Sequence, residues 1–435
     1  MKKFYLTLAA AVLATSAMAQ TLVSDSVAMG AKYADDVYYS MKSTGAVKTA
    51  PNAEWHLAFS MLPGGQQNLF STVWANHDSV KIYSLHLDAA NNWKTMTAAD
   101  TTGKTASANL LYNSDSTYLI GAFNQNKDAG NVFDFGWGKY NQSTHNLVGD
   151  SIYLVKTKTR AYKIWVQSMN GVTNDWTFKI GQLDNSDTTT VTIAKQPNFG
   201  SRLFAYYNME TNTIVDHEPA VTDWDIKFTR YNTLYTVQTT TIMSMVTGVL
   251  QNSGVLVAEA RNVDLATVSP AGYTLSAKIS AIGYDWKFQP NFTSPVYETR
   301  DSLCYFVQDK SNDLYYLRFT RFDGSSTGKV VFEKKKLSAT PSGIKDINGA
   351  VANVTVYPNP AAAKAYLVLE NKQAVKGATL QLLSVDGRVV KQATVDLNMG
   401  LNPLELKTGD LPSGLYLINL TGDHVKVQER LVVNH

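Results

Sequence analysis

Hydrophobic and polar residues alternate with period two over several short stretches, most clearly Ser79 to Leu87, Ala161 to Val166 and Leu314 to Phe319. That period turns one side of an extended segment to a core and the other to solvent, so each stretch predicts a half-buried strand. Runs rich in Tyr, Thr, Val, Ile and Trp are broken by Asn, Asp, Gly and Ser, the punctuation of turns. Long stretches with amphipathic helical spacing are lacking. Gly254 to Arg261 fits a short helix or a strand, and periodicity does not choose between them. The predicted class is all-β, with antiparallel strands joined by polar turns.

The pattern repeats. Trp55-His-Leu-Ala-Phe59 returns as Trp224-Asp-Ile-Lys-Phe228, and Tyr38-Tyr39-Ser40-Met41 upstream returns as Tyr206-Tyr207-Asn208-Met209. Asp150-Ser151 downstream is echoed by Asp301-Ser302, so the offset shrinks from 169 (224 − 55) to 151 (301 − 150). One unit has been duplicated, with a longer middle segment in the first copy. The expected modules are residues 20–196 and 197–337. In each, period two predicts that Trp and Phe share one face (Trp55, Leu57, Phe59; Trp224, Ile226, Phe228) and anchor the module core.

The ends carry a different signal. Residues 1–19 read as a secretory leader: Lys2 and Lys3, an apolar run from Leu6 to Val12, and Ala17-Met18-Ala19 for cleavage before Gln20. The apolar run is shorter than the about 20 residues a membrane span needs, and no later segment is apolar for that length. Cys304 is the single cysteine, so packing and not an internal disulfide must hold the fold. Lys+Arg 39 against Asp+Glu 36 is a near balance that points away from nucleic acid and from anionic membranes as partners. The Lys334-Lys335-Lys336 run is expected to solvate a strand end.

Residues 338–343, Ser-Ala-Thr-Pro-Ser-Gly, have the composition of a linker, and 344–435 read as a separate small sandwich of some seven strands. Val356-Tyr-Pro-Asn-Pro360 sets an extended segment with two fixed φ angles, and Asp386-Gly387 between apolar runs marks a hairpin. With Leu411-Pro-Ser-Gly-Leu-Tyr-Leu-Ile418 and Glu429-Arg-Leu-Val-Val433, these motifs resemble the type A C-terminal sorting domain of the Bacteroidetes type IX secretion system. The resemblance implies Sec export, then passage over the outer membrane by the type IX machinery, and a protein that is secreted or displayed at the surface.

Tyr207 to Thr213 followed by Val221 to Tyr231 resembles the opening of an HmuY-family domain, and Val37 to Gly45 with Glu54 to Phe59 shows the same layout. That family of all-β Bacteroidetes proteins binds haem, so the resemblance implies a haem or porphyrin ligand with His or Met at the iron. Of the seven His residues (56, 77, 86, 145, 217, 424 and 435), the second copy holds only His217, and Thr229 stands where family members can carry His. The candidate iron ligands are Met61 with His77 in the first copy and Met243 with Met245 in the second. His86 is expected to face solvent.

Signs of catalysis are missing. The sequence has no metal-spaced His or Cys cluster, no phosphate loop (Gly64-Gly65 sits in a hairpin context) and no nucleophile elbow. Asp35-Asp36 point apart on a strand and are expected to be surface charge. The expectation is a non-enzymatic ligand-binding protein. The alternative is a surface adhesion or structural protein that keeps the HmuY-like fold and binds protein or glycan through exposed aromatics such as Trp74, Trp93 and Trp137.

Overall fold

The computed structural model describes residues 21–61, 71–290, 296–339 and 351–435, except positions 129, 132, 238, 358, 360, 372, 385–387 and 424. The predicted leader, Gly64-Gly65, most of the linker and the Asp386-Gly387 turn lie outside the described residues. The fold is all-β, built from antiparallel sheets, and Leu256–Arg261 is a strand.

Four sheets stack in the two-module region. The strands Leu57–Ser60, Val73–Ala75, Phe204–Asn208 and Thr213–Val215 form one four-stranded sheet. One face of it packs on a seven-stranded sheet drawn from 81–193, and Leu57, Phe59, Ala205 and Tyr207 meet Tyr153, Ile164 and Phe178 in a common core. Asp35–Tyr39, Ala46–Pro51, Ile226–Val237 and Thr240–Gln251 form the second four-stranded sheet. It packs in the same way on a five-stranded sheet, joining Val37, Tyr39, Ile226 and Phe228 to Tyr305, Phe319 and Phe332.

These packing units cross the expected boundary between 196 and 197. The first module is contiguous in the chain, from Leu57 to Val215, and the second combines 226–339 with the leading strands of 23–51. Each Trp strand therefore pairs with the leading strand of the other sequence copy, in one shared register. Tyr207 lies opposite Leu57 and Tyr206 opposite Ala58, just as Tyr39 lies opposite Ile226 and Tyr38 opposite Lys227.

Chain connectivity explains the offset. Had Leu57–Ser60 taken the edge of Asp35–Tyr39 that Ile226–Phe228 occupies, it would run parallel to Ala46–Pro51 in the same sheet. A parallel crossover takes about a dozen residues or more, but only the five residues 52–56 separate Pro51 from Leu57. The corresponding link in the second copy, 216–225, has ten. Both links are too short to return, so the chain passes to the next sheet.

The remaining faces of the two four-stranded sheets meet at the centre. Tyr38, Trp55, Ala58, Trp74, Tyr206 and Trp224 are among the residues of that layer. Here the expected Trp-Phe face is corrected: Trp55 and Trp224 belong to the central layer, and Phe59 and Phe228 to the module cores. The backbone bends at His56 and Asp225, one residue after each Trp, and this breaks the period-two count. Both bends are fixed alike. His56 Nδ1 accepts the Met209 N–H at 3.0 Å, and Asp225 Oδ2 accepts the Met41 N–H at 2.7 Å. Asn76 Nδ2 donates to the Trp55 carbonyl at 2.9 Å, and Asn252 Nδ2 to that of Trp224 at 2.6 Å.

The C-terminal region is a sandwich of a three-stranded and a four-stranded sheet. Leu367, Leu369, Leu380, Ile418, Leu420 and Leu431 fill the space between them.

Candidate functional site

Four places in the two-module region gather polar chemistry or open space; one of them, an open space of about 680 Å³ lined by residues that include Met41, Lys42, Lys334 and Lys336, holds none of the candidate ligands. Of the other three, the first is the central layer. His217 is fully buried; its Nε2 meets Asp36 Oδ2 at 2.9 Å and its Nδ1 meets Glu54 Oε1 at 2.7 Å. Asp36 also accepts from Thr229 Oγ1 and lies 3.7 Å from Lys227 Nζ. Burial alone would raise the Asp36 pKa, yet Lys227, His217 and Thr229 together hold it down to about 2. Burial would lower that of His217, but its two carboxylate partners outweigh burial and raise it. Glu218, next in the chain, accepts from the Phe204 N–H at 2.7 Å and the Tyr206 hydroxyl at 2.9 Å, and burial raises its pKa.

The surface reading of Asp36 is thereby corrected. Alternation does turn Asp35 and Asp36 to opposite sides, but the inward side faces a second sheet, and Asp36 is 1% exposed. Glu54 sits on one inter-module link and His217 on the other, so their contact ties the two crossings together. The arrangement is a structural clamp, since each polar atom of the imidazole is engaged by a carboxylate.

Beside the clamp lies a cavity of about 40 Å³ lined by residues that include Trp55, Asn76, His77, Arg230 and Met245. Small-molecule pockets begin at roughly 300 Å³, so this space suits a few waters. Two sequence candidates, His77 and Met245, border it. His77 Nε2 accepts the Asn113 N–H at 3.3 Å, and burial lowers its pKa to about 4, leaving the ring neutral at physiological pH. Met61, expected to face His77, does not line this cavity; it is fully buried in the first module core. Met243 stands across the hairpin from Leu234, pointing outward and 37% exposed.

The third place is an open groove of about 410 Å³ between the hairpin and the 110–125 loop. Its lining includes Leu110, Tyr112, Asn113, Asp115, Leu234 and Met243. The amide of Asn113 is engaged with the Ala75 backbone, and the carboxylate of Asp115 accepts from Thr233 and Ser116. Leu234, 62% exposed, and Met243 are the apolar side chains left facing solvent.

The aromatics expected at the surface are internal. Trp74, Trp93 and Trp137 are 9%, 4% and 0% exposed. Trp74 and Trp137 donate to the carbonyls of Tyr118 and Ser71 at 3.1 and 2.9 Å, and Lys163 lies over the Trp93 ring at 4.8 Å. Lys334 is likewise buried and donates to the Met41 and Ser43 carbonyls; Lys336 pairs with Asp313 at 2.6 Å. His86 is exposed, as expected.

Residues 355–434 match the family described as "Secretion system C-terminal sorting domain". The chain is thus a protein exported by the type IX secretion system, to the cell surface or beyond it. Its tail is the part that engages the secretion machinery. Among the described residues no helix is long and apolar enough to cross a membrane. No curated protein matches the chain. Among solved structures, dimeric latent PorU from Porphyromonas gingivalis is similar at 10% identity and a TM-score of 0.17, over 67% of this chain and 32% of that one. The chain therefore spans about a third of that protein's length. The HmuY-like reading of the modules rests on their sequence alone.

Proposed function

We propose that this is a non-enzymatic, extracellular adhesion or binding protein whose two-module scaffold presents the groove beside the Leu234–Met243 ribbon to a protein partner. The observation that supports this reading is the division of labour in the groove. Its Asn113 and Asp115 side chains, which would read sugar hydroxyls, are occupied by the chain itself, while Leu234 and Met243 are exposed. Exposed apolar side chains beside the engaged Asn113 and Asp115 suit a protein surface better than a glycan. Beads coated with residues 20–435 should adhere to surfaces carrying extracellular-matrix protein, and Leu234→Arg with Met243→Arg should remove most of that adhesion. Adhesion unchanged by the pair, or abolished by periodate treatment of the surface glycans, would sink the reading.

Haem is the ligand that the sequence resemblance implies, and it predicts a different result. With Met61 in the first module core and His77 bordering a space of about 40 Å³, hemin titration should give no saturable Soret shift. A saturable shift lost in His77→Ala or Met61→Ala would restore haem as the ligand.

A further inference from the structure

We propose that the outer edge of the Thr240–Gln251 strand pairs antiparallel with the same edge of a second copy of this chain, joining two four-stranded sheets into one of eight across a twofold axis. This goes beyond the groove reading, which needs no self-association.

Geometry comes first. Ile226–Val237 and Thr240–Gln251 pair through twelve consecutive positions without a bulge, while Asp35–Tyr39 covers only Ile226 to Phe228. Most of the hairpin is therefore a two-stranded ribbon extending past its sheet. The Thr240–Gln251 strand is the last in its sheet. Its far end is closed by the Val249–Gly283 bridge and by the Gln251 N–H donating to Ile279, and the Thr247 carbonyl accepts from Lys287 Nζ. From Thr240 to Val246, no backbone partner is seen on the outer side among the described residues.

Such an edge is usually blunted by Lys, Pro or a bulge, because it is a ready template for another strand. This one has none of these. From Tyr231 to Ala258, 28 residues pass without an Asp, Glu, Lys or Arg, in a chain that is 17% charged. Ile242 is 51% exposed on the ribbon face opposite the groove.

The neutrality selects the occupant. When an edge pairs with itself about a twofold, each residue meets one from the same short segment, so any charge would lie close to its own copy. A wholly uncharged Thr-Thr-Ile-Met-Ser-Met-Val run avoids that repulsion at every register. A charged partner strand would find no opposite charge here to recognise.

Sedimentation equilibrium of residues 20–435 should show a monomer–dimer equilibrium at micromolar concentration. Ile242→Lys with Thr240→Lys, on the face away from the groove, should leave a monomer with unchanged circular dichroism and unchanged matrix adhesion. Ile242→Cys or Ser244→Cys should form a disulfide-linked dimer under mild oxidation, since the native Cys304 is buried. A wild-type chain that stays monomeric, or a dimer indifferent to the lysines and not trapped by either cysteine, overturns the proposal. Loss of adhesion with dimerisation intact in the Leu234/Met243 variants would concern the groove alone.

Discussion

A fragment of residues 52–215 should unfold cooperatively by itself, whereas 197–337 should show no cooperative transition until residues 21–51 are supplied in trans. The first fragment holds every strand of one module, including Phe204–Asn208 and Thr213–Val215, which follow the expected boundary. The second lacks the Asp35–Tyr39 strand that covers Ile226 to Phe228, and the Val23–Ala28 strand paired with Lys329 to Lys334. It would expose the core side of Phe228 and Phe332, both fully buried. Uncovering one such side chain costs about 1.5–3 kcal/mol, a large share of a stability of about 5–15 kcal/mol. Urea unfolding followed by near-ultraviolet circular dichroism reads the outcome. If 197–337 unfolds cooperatively without the added segment, the strand offset does not hold the second module together.

The all-β class and the sorting tail are legible because each is written in local pattern: alternation, and four motifs in order. The offset is not. Tyr38-Tyr39 carries the same alternation whichever Trp strand lies beside it, so side-chain pattern cannot say which sheet it joins. The information sat in the five residues 52–56, and they become decisive only once the strand order makes the return a parallel crossover. The same blindness misplaced the polar residues. Alternation separates Asp35 from Asp36 but assumes one wet face, and these central sheets are covered on both. His217 gave no signal of its own, as the second copy's lone His; its partners Asp36 and Glu54 lie 181 and 163 residues away. Nothing local distinguishes an aromatic at a rim from one under a loop, so the sequence around Trp74, Trp93 and Trp137 does not reveal their burial.

Replacing His217 by Ala should cost about 3–5 kcal/mol, because it leaves the buried Asp36 carboxylate short of a charged partner and cuts the tie between the two inter-module links. The pH dependence separates this from simple loss of volume. His217 binds its proton more tightly folded than unfolded. Its contribution is therefore complete below an unfolded pKa of about 6.5 and is lost as pH rises through the raised folded value. Asp36 has the opposite sign: folded it titrates at about 2, so its contribution is present above an unfolded pKa of about 3.9 and is lost as pH falls through that folded value. The difference in urea-unfolding free energy between wild type and His217→Ala should then be largest from about pH 4 to 6.5 and shrink on the alkaline side. His217→Phe fills the space without the charge and should recover packing but not this pH profile. A difference that is flat with pH, or a Phe variant as stable as wild type, would mean that the ring acts by volume and the clamp is not electrostatic.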